Sequence, residues 1–180
     1  MVLKHVVLTG PPGVGKTTLV QKVCKALESK SIPICGFVTQ EVREHGQRIG
    51  FQIITMDGKV GTLSSVKSKI GMYGVELQEF ESVALPIFQK EPQPGSILII
   101  DEIGKMEMFS KRFQVAVREA FTSDLTILAT IPIPKGKPIA LVEEVRQNPN
   151  SKLFQIDRSN RNTVLLDILK ILCPNAEVNA

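Results

Sequence analysis

Gly10-Pro11-Pro12-Gly13-Val14-Gly15-Lys16-Thr17 is the stretch on which the reading of the fold turns. It follows His5-Val6-Val7-Leu8-Thr9, a run of strand length that stops at a glycine. From Lys16 the period changes: Leu19, Val20, Val23, Ala26 and Leu27 fall on one helical face, with Gln21, Lys22, Lys25 and Glu28 opposite. Strand, loop and helix in that order, spelling GxxxxGK followed by Thr, make a phosphate-holding P-loop. Its glycines let the backbone wrap closely and turn N–H groups inward, and the helix adds its positive N-terminal end. Gly10, Pro11, Pro12, Gly13, Val14 and Gly15 are therefore expected to cradle the phosphates of a nucleotide. Lys16 would neutralise β/γ-phosphate charge, the Thr17 hydroxyl would ligate Mg²⁺, and Thr18 is placed for a further phosphate contact.

Outward from the loop, residues 32–39 read as a second strand, so that strand, helix and strand form a βαβ unit with a right-handed crossover and a parallel sheet. Ile97-Leu98-Ile99-Ile100 is a continuous apolar run of the kind a fully buried parallel strand shows, and 126–130 reads likewise. Phe109, Phe113, Ala116, Val117, Ala120 and Phe121 mark a helical stripe between them. A short helix at 141–146, a strand at 153–156 and a last helix at 162–172 close the pattern. The alternation predicts an α/β fold, a three-layer sandwich with a mainly parallel sheet. Residues 41–64 differ: a strand at 49–55, a turn at Met56-Asp57-Gly58-Lys59 and a return at 60–63 predict an antiparallel hairpin or three-stranded meander. Residues 64–74 read as a polar loop, and 76–90 as a helix that Pro86 kinks or breaks. The expected organisation is one P-loop domain over 1–180 with a hairpin and loop insertion at about 41–74.

The apolar run at 97–100 leads into Asp101-Glu102. An acidic residue at the carboxyl end of a buried parallel strand lies on the edge of the sheet where ligands bind. Asp101 suits the Walker B role, holding Mg²⁺ directly or through a water, and Glu102 can orient an attacking water or take its proton. Consecutive strand residues point to opposite faces. Both carboxylates can serve one site only if the strand ends near Asp101 and the chain turns, which Gly104 permits. A cation for the transferring group is sought among Lys105, Arg43, Arg48, Arg112, Arg158 and Arg161. Thr130, at a strand end, is a candidate γ-phosphate contact, and Arg161 with Asn162 is a candidate cover for base or ribose. His5 and His45 stand alone and take no role. Asp101-Glu102-Ile103-Gly104 fits the DxxG of GTPase switches, but Lys105 follows it and no NKxD occurs. Broad base tolerance follows, since the visible contacts are to phosphate.

Composition narrows the setting. With 22 basic and 18 acidic residues among 180, the charge of +4 needs no more than an anionic ligand to explain it. No Lys/Arg run reads as a nucleic-acid surface, so no nucleic-acid partner is expected. Three scattered cysteines without a CxxC pair speak against a disulfide framework or zinc site, and a reducing, cytoplasmic setting is the expectation. No apolar stretch reaches the roughly 20 residues a membrane span needs, and a monomer is expected.

At this point the pattern resembles more than a generic P-loop. Residues 9–18 (TGPPGVGKTT), Gly36-Phe37-Val38-Thr39 with Glu41-Val42-Arg43, Arg48-Ile49-Gly50-Phe51 and residues 100–109 (IDEIGKMEMF) resemble the cancer-related nucleoside-triphosphatase family. So do residues 130–138 (TIPIPKGKP), 141–146 (LVEEVR) and Asn160-Arg161-Asn162. The resemblance covers nearly the whole chain. It implies slow hydrolysis of ATP, GTP and other nucleoside triphosphates with Mg²⁺ on a RecA-like or kinase-like core. Lys16 and Thr17 would then bind phosphate and metal, with Asp101 and Glu102 as the Walker B pair. Familiar members carry a longer insertion between positions 63 and 73, where this chain is short. Read from the residues alone, two alternatives stay open: a nucleotide or nucleoside kinase, and a binding module controlled by its nucleotide.

Overall fold

Alternation along the strands divides the interior in two. In β1 (His5–Gly10) Val6 and Leu8 face one way and Val7 the other, and in β5 (Ile97–Ile100) Ile97 and Ile99 oppose Leu98 and Ile100. The first set packs under α1 (Lys16–Ser29) and α5 (Leu165–Leu172), the second under α2 (Leu77–Gln89), α3 (Lys111–Thr122) and α4 (Ala140–Arg146). Strands buried on both faces read as unbroken apolar runs for this reason. The computed structural model describes residues 2–67 and 75–176.

The remaining strands are β2 (Ile34–Glu44), β3 (Gln47–Thr55), β4 (Val60–Ser65), β6 (Thr126–Pro132) and β7 (Ser151–Gln155). Among the described residues, seven strands form one sheet in the order β4-β3-β2-β5-β6-β1-β7. β1 runs parallel to β6 and β7, β5 parallel to β2 and β6, and β2-β3-β4 is antiparallel. The three-layer α/β prediction and the antiparallel meander are both present.

Four local expectations differ. First, the meander is not hung from the end of a finished core strand. β2 continues to Glu44, pairing with β5 over its first residues and with β3 from Phe37 to Glu44, with a bulge at Val42/Arg43. Second, α2 does not break at Pro86 but runs to Gln89. The carbonyl that loses its partner is that of Ser82, an exposed residue, where water can replace the bond. Phe80 and Ala84 before the proline, and Leu85 with Ile87 and Phe88 around it, anchor both halves in the core. Third, the last helix starts at Leu165 and not at 162. The Asp157 carboxylate accepts from the N–H groups of Ser159 and Asn160, and Asn160 Oδ1 accepts from Asp157 N, so side chains hold this segment in turns. Fourth, Phe109 belongs to a 3₁₀ turn (Glu107–Phe109), because Ser110 caps α3 by accepting from Phe113 N. Of the polar loop expected at 64–74, residues 68–74 lie outside the described residues.

Candidate active site

The carboxyl ends of β1, β5 and β6 and the middle of β2, at Thr39, Gln40 and Glu41, meet at one edge of the sheet, and a cavity of about 600 Å³ opens there. The loop between β1 and α1 forms one wall. Gly15 sits at φ 108°, a left-handed conformation that side chains resist, so the loop can enter the helix at Lys16. Gly10, Pro12, Gly13, Gly15, Lys16, Thr17 and Thr18 all line the cavity. Pro11 and Val14 do not. Val14 turns into the core under α1 and α5, and its carbonyl accepts from Arg161 Nη1 at 3.1 Å. The Lys16 ammonium donates back across the loop to the Gly10 carbonyl at 2.7 Å.

β5 stops at Ile100, so Asp101 and Glu102 leave the pleat together and both reach the cavity, joined by a cis peptide. The segment is held from both sides: Thr39 Oγ1 donates to Asp101 O (2.6 Å), and Ile103 N donates to Thr130 O (2.9 Å). Asp101 is 2% exposed, and each of its oxygens has a hydroxyl donor. Thr17 Oγ1 donates to Oδ2 at 2.8 Å and Thr130 Oγ1 to Oδ1 at 2.7 Å. The candidate reading of Thr130 as a γ-phosphate contact is therefore corrected. Its side chain is fully buried, off the cavity wall, and its proton is given to Asp101.

Burial raises the Asp101 carboxyl above its ordinary value, against the pull of the Thr130 and Thr17 hydroxyls and the Lys16 charge. Glu102 is raised too, by burial first; Lys16 opposes the shift and Asp101 adds to it. A carboxylate made more basic in this way is better matched to accepting a proton near neutral pH. Beside the pair on the cavity wall lies Glu107, buried at 2% exposure, whose Oε2 accepts from Gly104 N at 3.1 Å. Burial and the neighbouring Glu102 push it up to about 8. Gly104 makes room for both groups: a Cβ there would come within 2.7 Å of Glu102 Oε1 and 3.0 Å of Glu107 Oε2.

Of the cations considered from sequence, Arg48 and Lys105 line the cavity, and Lys135 joins them. The Arg48 guanidinium lies 5.1 Å from the centre of the Phe51 ring, another wall residue. Arg43 bends to Glu41 and the Gly46 carbonyl, and Arg112 pairs with Glu81 at 3.8 Å; neither reaches the cavity, nor does Arg158. Arg161 and Asn162 border a hollow with Gly15, Thr18, Leu19 and Lys22, of which Gly15 and Thr18 also line the cavity. Sequence reasoning missed Thr39 and Glu107. Thr39 falls in the strand-like Gly36-Phe37-Val38-Thr39, where a strand threonine carries no signal. Glu107 could have been noticed as an acid inside an apolar stripe.

A family model described as NTPase (NTPase_1) matches residues 5–169. The chain belongs to this family. It is 47% identical over 180 residues to the cancer-related nucleoside-triphosphatase of Homo sapiens, covering 92% of this chain and 95% of that one. It is 42% identical over 179 residues to the nucleoside-triphosphatase THEP1 of Aquifex aeolicus, covering 93% and 98%. The solution structure of the human cancer-related nucleoside triphosphatase superposes with a TM-score of 0.82 at 45% identity, over 96% of this chain and 98% of that one. The crystal structure of THEP1 from Aquifex aeolicus gives 0.79 at 41% identity, over 93% and 98%. Among the described residues, no helix is long and apolar enough to cross a membrane.

Proposed function

We propose that this NTPase-family chain hydrolyses nucleoside triphosphates to diphosphate and phosphate, with Mg²⁺ and little regard for the base. The observation that carries the reading is the juxtaposition of Glu102 with Asp101 and Lys16 on the walls of one cavity. The Lys16 ammonium and the N–H groups of Gly13, Gly15, Lys16 and Thr17 would hold the β- and γ-phosphates. Glu102 would orient a water toward the γ-phosphorus and accept its proton as the new P–O bond forms. The bond from phosphorus to the β–γ bridging oxygen breaks, and the diphosphate departs with charge that Lys16 and the amides neutralise. Relatives named nucleoside-triphosphatases support the reading.

The fit of Mg²⁺ rests on donor chemistry. The Thr17 hydroxyl and the Asp101 carboxylate are hard oxygens 2.8 Å apart at the cavity, and no group of three His, Cys, Asp or Glu able to hold a metal occurs among the described residues. An ion that accepts one or two protein oxygens and takes the rest from phosphates and water suits such a site. Thr17 and Asp101 would hold it, and when bound it would offset β- and γ-phosphate charge. Base tolerance is supported by the sequence, which carries no NKxD to read a guanine.

The test is phosphate release from ATP, GTP, CTP and UTP, with and without Mg²⁺, for the parent, Lys16→Ala and Glu102→Gln. Glu102→Gln is expected to lower kcat by about 100-fold or more while nucleotide affinity holds. Lys16→Ala should lose both binding and turnover. If Glu102→Gln released phosphate at the parent rate with unchanged affinity, the assignment of Glu102 would fail.

A further inference from the structure

Glu102 reaches the cavity without a tether of its own. Among the described residues its carboxylate makes no hydrogen bond and no ion pair, and the nearby Lys16 acts on it by charge alone. Packing fixes its direction. Its Oε1 lies against the bare backbone of Gly104, where a Cβ would come within 2.7 Å. The aim of Glu102 therefore depends on where Gly104 is held.

Gly104 is held by Glu107. After β5 the chain passes through Asp101 to Gly104 and enters the 3₁₀ turn Glu107–Phe109. From that turn the Glu107 side chain reaches back three residues, and its Oε2 accepts the Gly104 N–H. The turn is itself fixed, because Ser110, the cap of α3, donates its N–H to Glu107 O at 3.1 Å. On the other flank Ile103 is fully buried and bonded through its N–H to Thr130. The bond from Gly104 to Glu107 closes the segment that carries Glu102, as a side chain does when it satisfies a turn's free N–H.

A carboxyl in this place is otherwise hard to account for. Glu107 is buried, no cation pairs with it among the described residues, and the charges nearest it are the acids Glu102 and Asp101. Burial beside like charges burdens the fold. Met106 and Met108 on either side pack against the core, and an apolar side chain between them would escape that cost. A buried acid that burdens the fold on the wall of a site points to a task within the site.

We infer that Glu107 is a positioning residue for Glu102: through the Gly104 N–H it clasps the segment after β5 and keeps the Glu102 carboxylate aimed into the cavity. The inference rests on the reading of Glu102 given above.

The experiment is steady-state phosphate release from ATP with Mg²⁺, with hydrogen exchange of the Gly104 amide as a second readout. Glu107→Gln retains a carbonyl oxygen of the same reach, and its kcat should stay within about threefold of the parent. Glu107→Asp keeps the acid but falls one methylene short, and Glu107→Met fills the space with no comparable acceptor. Each should lower kcat by about tenfold or more at nearly unchanged KM, since a small misplacement of a reacting group costs up to about 100-fold. In both, the Gly104 amide should exchange faster than in the parent. Added to Glu102→Gln, neither should lower kcat further, because the group they misplace is already disabled. A loss in Glu107→Gln as large as in Glu107→Asp, an unmoved Gly104 amide, or equal losses with and without Glu102 would each overturn the inference. Slow release in Glu102→Gln beside unimpaired Glu107→Asp and Glu107→Met would overturn this inference alone. Release at the parent rate in Glu102→Gln would instead remove the reading of Glu102, and this inference with it.

Discussion

Asp101 keeps its two oxygens on separate duties. Thr130 holds Oδ1 from below, in the core, while Thr17 meets Oδ2 from the cavity side. Removing the lower donor leaves a buried carboxylate oxygen unpaired. Thr130→Val, nearly the same in shape, should lose about 1–3 kcal/mol in urea unfolding, and should slow phosphate release even though Thr130 never reaches the cavity. An unchanged midpoint would show that the Oδ1 bond contributes nothing to the fold. Two other buried groups set opposite pH slopes. His5 accepts from Ile127 N through Nδ1, and burial, with Lys4 adding, lowers its pKa from 6.5 to about 4. The unfolded chain takes up that proton first, so this contribution is whole above pH 6.5 and is lost as pH falls toward 4. Glu107 runs the other way. Its carboxyl titrates at about 8 against an ordinary 4.5, so the folded chain holds a proton the unfolded chain releases. Its contribution is whole below pH 4.5 and is lost as pH rises toward 8. Glu107→Gln should therefore be more stable than the parent at pH 8, by on the order of a few kcal/mol, with the gap closing by pH 5. A gap independent of pH would mean that Glu107 is not held protonated.

Residues of this kind also mark what a sequence can disclose. Lys16, Thr17, Asp101 and Glu102 are legible because phosphate chemistry fixes their spacing along the chain. Thr39 and Thr130 are not, since their task is to hold Asp101, and any strand threonine looks the same in one dimension. Arg161 was legible as a neighbour of the site but not in its contact, which is with the back of the loop through Val14.

Among the elements, the junction of α2 and α3 is the most economical. Ser110 Oγ accepts from Phe113 N to cap α3 and donates to Glu81 Oε1 on α2 at 2.7 Å, so one hydroxyl starts a helix and ties it to its neighbour. Ser110→Ala should cost about 1–2 kcal/mol by thermal or urea unfolding, at the upper end for a cap because two bonds go. A loss of a few tenths would mean water replaces both. The unbroken α2 teaches the complementary lesson. Proline's local penalty was legible, but the apolar residues on both sides of Pro86, and a solvent-facing carbonyl at Ser82, are tertiary facts that outweigh it. β2 was cut short for a similar reason. Its outer end carries Glu41, Arg43 and Glu44, charged and exposed, and pairing with β3 makes it a strand.

For the whole molecule, fold class was legible from the alternation of buried strands and helical stripes, but strand order was not. Nothing in the composition of 97–100 says that its neighbours are β2 and β6. That order follows from which faces find cover, and one residue shows how. Phe37 on β2 lies 6.3 Å from Phe80 on α2 and 6.1 Å from Phe113 on α3, which are themselves 5.2 Å apart. The cluster joins the meander side of the sheet to the layer beneath the site. Phe37→Ala should cost about 3–5 kcal/mol in unfolding free energy, and amide exchange should quicken along α2 as well as β2. Exchange that quickened in β2 alone would show the layers to be less coupled than the ring contacts imply.

The sheet order has a consequence for how the protein is made. β1, first of the seven strands to leave the ribosome, lies between β6 and β7, which are synthesised after residue 125. The P-loop emerges early, but the strands that flank it and the arginine that braces Val14 are translated far later. A chain truncated at residue 147 would carry the whole phosphate-binding motif on a strand with one edge unpaired, and it should be cut there by a protease that spares the finished protein. Competence to bind nucleotide would then arrive late in translation, although its motif precedes the strands that flank it.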